Sequence, residues 1–216
     1  MPHRPFHHGN LRAALLEQAE AVLRERGLDA LSLRELAREA GVSHGAPRSH
    51  FPDRGALLDA LAERGFLRLD EEIRQAAART AAGSAQDAGG RDRAREQHAR
   101  TLRAAASAYL GFAAREPALL DLMFAAKAAE PPEAVRAAAT RLFATMGALM
   151  DAGVAAGAYP AADVGRLTLL LSATVQGVAA LVTSRRIPPD QGEALIGDGI
   201  TLLLSGAAAG RQGGFS

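Results

Sequence analysis

Apolar residues recur at helical spacing along the first quarter of the chain. Between residues 11 and 26, leucine, alanine and valine return every three or four positions, and the run ends at Gly27. A second apolar stripe covers residues 33–40, where Ser32 and Glu35 have the spacing of a capping box. These patterns predict two amphipathic helices separated by a short break.

Gly41 marks an abrupt stop between the second helix and the segment that follows it. Glycine adopts positive φ without a steric penalty, as a tight reversal after a helix requires. Ser43 can cap a short helix over 44–50, and Asp53 can cap a long one over 54–80. In a helix-turn-helix, the second helix of the pair enters the DNA major groove. Any two capped helices joined by a glycine share this pattern, so the turn alone leaves DNA binding and a plain helical corner both open.

The rest of the chain keeps the helical period, and no stretch alternates apolar and polar residues as a half-buried strand does. Prolines fall at or near the ends of the apolar stripes, where a missing N–H does least harm. The glycine-rich segment 81–93 is predicted to be a mobile loop. The pattern as a whole predicts an all-α protein, with later helices over about 94–114, 117–128, 132–156, 162–184 and 190–208.

Composition narrows the class of protein. The 216 residues carry a formal net charge of +1, which is too small to indicate nucleic-acid binding by itself. The placement of charge matters more, because many arginines and five of the six histidines lie in the first quarter of the chain. The absence of cysteine excludes disulfides and thiol catalysis. Without an uninterrupted bilayer-length apolar run or an apolar signal region, we expect a cytoplasmic protein with no membrane partner.

Catalytic motifs are weak in this chain. It contains no Walker loop and no H-E-x-x-H, its single G-x-S-x-G spacing at 41–45 falls on the glycine turn between two predicted helices rather than after a strand, and its helical carboxylates are mostly interleaved with arginine as solvated pairs. We therefore expect no enzymatic activity and no cofactor. His3, His7 and His8 form a metal site only on paper, since histidines on an N-terminal arm are more typical of solvent exposure or of a minor-groove contact.

The sequence HHGNLR at 7–12, the helix-turn-helix pattern and HFPDRGALL at 50–58 together resemble the TetR family of one-component transcriptional repressors over residues 7–66. The resemblance implies that the 33–40 helix crosses the DNA backbone, that the 44–50 helix reads the groove and that the start of the 54–80 helix touches phosphate. This chain has Arg48-Ser49-His50-Phe51 where the related subgroup usually has Tyr-Arg-His-Phe. The residues expected to contact DNA are Arg34, Ser43, His44, Gly45, Ala46, Arg48, Ser49, His50 and Arg54.

The segment YLGFAAREPALLDLMF at 109–124 resembles the ligand-binding domain of the TetR subgroup named for a Trp-His-Gly tripeptide, whose place is taken here by Val175-Gln176-Gly177. Large side chains scattered among alanine and leucine can leave a cavity for a small molecule, although plain core packing is the simpler explanation for any single one of them. Gln176 needs a partner if it is buried, either a ligand or another helix. The residues expected to bind a small-molecule effector are Phe66, Tyr109, Phe112, Met123, Phe124, Phe143, Met146 and Gln176.

The last two predicted helices, 162–184 and 190–208, are apolar over most of their circumference. They either pack only within the chain or form the interface of a homodimer, which is how the family dimerises. We expect a helix-turn-helix domain over 1–54, a larger ligand-binding and dimerisation domain over 55–208, and a disordered tail over 209–216. The predicted function is a ligand-responsive regulator, a repressor released from operator DNA by a small molecule. The alternative is an α-helical small-molecule binding protein that has lost operator binding.

Overall fold

A computed structural model describes residues 11–82, 90–128 and 130–209. Within these ranges the secondary structure is helical, with no strand. Short 3-10 helices cover Leu28–Ala30, Ala46–Ser49 and Ala161–Asp163. The α-helices are α1 (Leu11–Arg26), α2 (Leu33–Glu39), α3 (Arg54–Ala82), α4 (Arg91–Arg115), α5 (Pro117–Ala128), α6 (Glu133–Ala155), α7 (Val164–Thr183) and α8 (Pro189–Ala209). The all-α prediction is confirmed.

The helix predicted over 44–50 differs from the structure in type and length. Its residues form a 3-10 helix over Ala46–Ser49, with Gly45 rather than Ser43 at its N-terminal boundary and no side-chain cap. Pro47 has no N–H to donate, and a segment this short closes i to i+3 bonds more readily than a full α-turn. The predicted loop over 81–93 is also too long, because α4 already begins at Arg91. The remainder of that loop, 83–89, and the tail from 210 onward lie outside the described residues.

The chain forms two compact units. The first comprises Met1–Phe66 and Glu116–Ala139, and the second comprises Leu67–Arg115 and Thr140–Ser216. Both α3 and α6 therefore contribute residues to both units. This division differs from the predicted domains 1–54 and 55–208, since the first unit also takes in the start of α3, all of α5 and the start of α6.

The first unit packs α1 and α2 around a core that α5 extends. Leu15 and Leu61 are fully buried there. Gly65 on α3 permits a close approach, because a Cβ added at this glycine would lie 2.6 Å from the sulfur of Met123 on α5. Arg24 on α1 reaches the buried Glu116 with two hydrogen bonds of 3.1 and 2.6 Å, which join α1 to the start of α5.

The second unit is built on the packing of α4, α7 and α8 against one another. A buried polar pair lies within it, where the Nε2 atom of His98 is 3.2 Å from the hydroxyl of Tyr159. That hydroxyl also donates to the carbonyl of Met150 at 2.9 Å, so His98 is the donor in the first bond. Gly153 leaves room for the pair, because an added Cβ would lie 2.2 Å from the Tyr159 hydroxyl and 2.5 Å from His98.

Candidate nucleic-acid interface

The turn between α2 and the short 3-10 helix is defined by a cap and a glycine. The Ser32 hydroxyl accepts the backbone N–H of Glu35 at 3.3 Å and so begins α2, which is the first half of the predicted capping box, whereas the Glu35 carboxylate accepts from Arg38. Gly41 ends it with φ of 66°, in the left-handed region that favours glycine. The N–H of Val42 bonds the carbonyl of Ala37 at 3.0 Å, which completes a compact helix terminus. The chain then reverses into the 3-10 helix.

The 3-10 helix presents a polar, small-residue surface. His44, Gly45, Arg48, Ser49 and His50 are exposed. Pro47 and Phe51, in contrast, are buried and anchor the segment to the core of the first unit. The carboxylate of Asp53 accepts the N–H of Ala56 at 2.8 Å and caps α3, as predicted, so the next helix starts directly behind this surface.

Charge pairing separates two sets of arginines around the turn. Arg26 donates to Glu39 at 2.8 Å, and Arg38 donates to Glu35 at 2.7 Å. The hydrogen bond from Arg38 and its charge lower the pKa of Glu35 below its ordinary value. Among the residues that the structure describes, Arg34 and Arg48 have no ion-pair or hydrogen-bond partner for their exposed guanidinium groups. The acidic residues of α2 are thus neutralised by Arg26 and Arg38, which leaves two cations available for a polyanion.

Arg54 has a structural task in addition to its predicted contact with phosphate. Its Nε atom donates to the carbonyl of Leu31 at 3.0 Å and its Nη2 atom to the carbonyl of Leu28 at 2.7 Å. These bonds join the start of α3 to the segment before α2. Arg12 was not predicted as a site residue, yet its guanidinium lies 5.4 Å from the centre of the Phe51 ring and is exposed beside the 3-10 helix. Its place in the first turn of α1, within the HHGNLR motif, was the available signal.

The residues expected to bind an effector divide between the two units. Phe66, Met123 and Phe124 belong to the first unit, where Phe66 and Met123 are fully buried. In the second unit, Phe112 is fully buried beneath the guanidinium of Arg68, 5.4 Å from the ring centre. Tyr109 is half-buried, and burial raises its pKa to about 12. The remaining members, also in the second unit, are the half-buried Met146 and the exposed Phe143 and Gln176.

Gln176 is exposed on α7. The expectation that it needs a ligand or an interhelical partner depended on its being buried, so that expectation does not apply. The same helix buries Leu171, Val175 and Val178 on another side. Gln176 directly follows the buried Val175, so it lies beside the buried stripe and not within it. The apolar pattern of the sequence alone does not distinguish these two positions.

A small void and an open groove lie among the described residues of the second unit. The void, about 10 Å³, is lined by apolar side chains of α4, α6, α7 and α8 and by Tyr159. That volume holds about one water molecule. The groove, about 470 Å³, lies between α3 and α4 and is bordered by Arg79, Thr80 and Ser107. In the part of the chain that is described, no group of three or more His, Asp or Glu side chains is placed to hold a metal ion, and His3, His7 and His8 lie outside it.

A stripe of apolar and small side chains lies exposed on α7 and α8. Leu169 and Leu202 are 74% and 72% exposed. On α7 the stripe continues through Ala173, Gly177 and Ala180 at helical spacing, and Gln176 lies within it. The segment Ala161–Thr183 is long and apolar enough, by length and composition, to cross a membrane. Only 28% of its most apolar stretch is buried in the single chain. We call this stripe, with Leu195 and Leu202 on α8, the α7–α8 face.

The geometry described so far is that of a helix-turn-helix unit joined to a second helical unit. The first part matches the family description "Bacterial regulatory proteins, tetR family" over residues 15–61. The second matches "Tetracyclin repressor-like, C-terminal domain" over residues 102–201. No curated protein matches the chain.

Solved structures agree with these family matches. A protein of unknown function from Rhodococcus sp. RHA1 is 37% identical, with 95% of this chain and 100% of that chain covered and a TM-score of 0.75. A transcriptional regulator from the same organism is 26% identical, with 91% and 97% covered and a TM-score of 0.66. PfmR, a TetR-family transcriptional regulator from Thermus thermophilus, shares the fold at 20% identity, with 88% and 97% covered and a TM-score of 0.58.

This chain belongs to the TetR family of bacterial regulatory proteins. It is a DNA-binding transcriptional regulator and not an enzyme. The resemblance to the Trp-His-Gly subgroup stays a prediction.

Proposed function

We propose that this regulator binds operator DNA as a homodimer and is a cytoplasmic repressor released by a small, largely apolar effector. The unpaired cations Arg34 and Arg48, beside the exposed small residues of the 3-10 helix, carry the DNA-binding part. Phosphate contacts supply affinity and position, while side chains at the groove supply sequence preference. In this proposal Arg34, Arg48 and Arg54 contact phosphate, and the other predicted DNA-contact residues lie against the groove. Arg12 joins the phosphate contacts because Phe51 holds its guanidinium near the same surface.

The α7–α8 face supports the homodimer. Leu169 lies in line with alanine and glycine on α7, which is mostly unburied, and Leu202 lies on α8. Both leucines are more than 70% exposed and form an apolar surface that needs a cover. A second copy supplies a matching surface by two-fold symmetry, and its helix-turn-helix then reads a second half-site. We assign Gln176 to this interface rather than to the effector site, because it is exposed within the stripe.

The effector site is proposed in the second unit, around Tyr109, Phe112 and Met146. These members of the predicted set are buried or half-buried in that unit, and the phenol of Tyr109 stays protonated at neutral pH as a hydrogen-bond donor. The void of about 10 Å³ in the same unit is lined by other residues and is too small for an effector, so effector binding requires movement of the helices. A ligand that fits only when the helices are packed more openly binds the open state of the protein more tightly than the closed state. Release from DNA requires such a difference in ligand affinity between two states.

The direct test uses the full chain and a duplex from the DNA flanking its own gene, followed by fluorescence anisotropy at several salt concentrations. The proposal expects saturable binding, with two chains per site and a Kd that rises steeply with salt. A thermal-shift screen of small molecules then supplies effectors, and a true effector must raise the operator Kd. Binding of small molecules without any selective DNA binding would instead support the alternative, a helical binding protein that has lost operator recognition.

A further inference from the structure

Asp70 on α3 is the most deeply buried charged residue among those described, with no exposed surface. Its carboxylate accepts three side-chain hydrogen bonds. The Nε atom of Arg141 donates to Oδ2 at 2.7 Å, the Nε atom of Arg74 donates to the same oxygen at 3.1 Å, and the hydroxyl of Thr145 donates to Oδ1 at 2.5 Å. We call these four residues the Asp70 cluster.

The cluster ties two helices together within the second unit. Arg74 lies on α3 itself, one turn after Asp70, whereas Arg141 and Thr145 both lie on α6. The two α6 donors are four residues apart, so they stack on one face of that helix and hold the two carboxylate oxygens separately. A slide of α3 by one residue moves Asp70 by about 1.5 Å and breaks both bonds.

Such a cluster favours one arrangement more than it adds stability. Burial acts to raise the pKa of Asp70, but the bonds from Thr145, Arg74 and Arg141 outweigh it and hold the pKa below its ordinary value. The carboxylate is fully buried, whereas the side chains of Arg141 and Arg74 are 56% and 40% exposed, so the arginines keep part of their hydration and the carboxylate is heavily penalised if its donors are removed. The register that keeps all three donors is therefore much lower in free energy than any register that loses them.

The position of the cluster along the chain gives this register a consequence. Asp70 lies four residues after Phe66, where α3 leaves the first unit, and Arg141 lies two residues after Ala139, where α6 does so. At the third crossing, Arg115 donates to Glu72 on α3 at 2.5 Å. The part of α3 that leads into the DNA-binding unit is therefore held by side chains next to each of the other chain crossings.

We propose that Asp70 is a positioning residue that sets the register of α3 against α6, and that this register controls operator affinity and the response to effector. The second clause rests on the proposed function. Packed helices with hydrogen-bonded contacts switch between discrete arrangements rather than deforming gradually. An effector that changes the packing of the second unit then acts on DNA affinity through the energy of this cluster.

The chain offers a matched pair of variants to test this role. Arg141→Met and Arg74→Met each remove one arginine Nε donor from the same carboxylate oxygen, but only Arg141 connects α3 to α6. Thr145→Val removes the other interhelical bond and is close to isosteric. We expect Arg141→Met and Thr145→Val to change the operator Kd by about fivefold or more, in the same direction. Arg74→Met should stay within about twofold of the parent, although it costs similar thermal stability.

A second readout does not depend on DNA. Since the chain has no cysteine, spin labels at Ala78→Cys on α3 and Ala148→Cys on α6, both exposed, report the distance between the helices within one unit. We expect Arg141→Met and Thr145→Val to shift or broaden this distance, and Arg74→Met to leave it unchanged. Unchanged distances in both α6 variants would overturn the register role, and changed distances with an unchanged operator Kd would overturn the control of affinity.

These two readouts also separate the inference from the proposed function. A parent protein that binds no operator contradicts the proposed function and the affinity clause together. The label distances then still decide whether Asp70 sets the register. If Arg141→Met fails to fold, the milder Thr145→Val carries the same comparison against Arg74→Met.

Discussion

Two exposed surfaces of this protein differ in the chemistry that they leave without a partner inside the chain. Around the 3-10 helix, the acidic side chains of α2 are neutralised and Arg34 and Arg48 have no partner among the described residues. On the α7–α8 face, Leu169 and Leu202 are the exposed side chains instead. The first surface favours a polyanion and the second favours another apolar surface, so the two surfaces of one chain are suited to different kinds of partner.

The largest effect is expected from placing a charge on the α7–α8 face. Leu202→Asp should yield a monomer in place of the proposed dimer, because an unpaired carboxylate within an apolar interface loses its hydration without gaining a partner. Loss of the second half-site contact should weaken operator binding by roughly 10²- to 10⁴-fold. Sedimentation equilibrium and DNA anisotropy measure both effects.

A matched control for this change is Leu67→Asp. Leu67 is an exposed leucine on α3, at 38% exposure, and lies outside the α7–α8 face. The Leu67→Asp variant should keep the oligomeric state of the parent. If Leu202→Asp also remains a dimer with the parent's operator Kd, the interface lies elsewhere.

A smaller effect is expected at the polar surface. Arg48→Ala should weaken binding to specific and non-specific duplexes alike, by about tenfold, because it removes a charged contact to phosphate. The slope of log Kd against log salt should also decrease by about 1. Anisotropy titrations from low to moderate salt give both quantities.

Arg100→Ala is the control for the loss of one positive charge. Arg100 lies on α4 in the second unit and pairs with Glu96 at 2.8 Å. The salt slope of this variant should equal the parent's. If the salt slope of Arg48→Ala equals that of Arg100→Ala, Arg48 does not contact phosphate. If the loss of affinity is confined to one DNA sequence, Arg48 contacts a base instead.

The smallest expected effect concerns a pair that faces neither surface. Burial lowers the pKa of His98 below its ordinary value of 6.5. The unfolded chain therefore takes up this proton at a higher pH than the folded chain, so the contribution of neutral His98 to stability is complete above pH 6.5 and decreases as the pH falls toward the folded pKa. Denaturant unfolding should show the parent losing stability between pH 7.5 and pH 5.5.

His98→Gln keeps an N–H donor for Tyr159 but does not titrate. It should flatten that part of the pH profile while leaving the oligomeric state unchanged. A variant whose profile follows the parent's would show that other groups cause the acid sensitivity.

The sequence predicts the helices well because their boundaries depend on local chemistry. Ser32 and Asp53 cap α2 and α3, and Gly41 supplies the positive φ that ends α2. Each of these effects involves residues within four positions of one another. The 3-10 helix was less predictable, because Pro47 and the shortness of the segment decide between two closely similar hydrogen-bond patterns.

The predicted site is less complete where it depends on long-range packing. The exposure of Gln176 follows from which side of α7 meets α4 and α8, and a helix that is apolar over most of its circumference does not encode this in its period. The Asp70 cluster joins residues 71 and 75 positions apart. The hydrogen bond between His98 and Tyr159 likewise spans 61 positions and was not foreseen.

Two copies of this chain are proposed to read one symmetric DNA site, and selection of binding sequences from a random pool of duplexes tests for that symmetry. The full chain, at moderate salt, should enrich one motif with two inverted half-sites whose centres lie about one helical turn, 10–10.5 base pairs, or a multiple of it apart. A pool that shows no enriched motif, or a single half-site without its inverted copy, would show that two copies do not read one site.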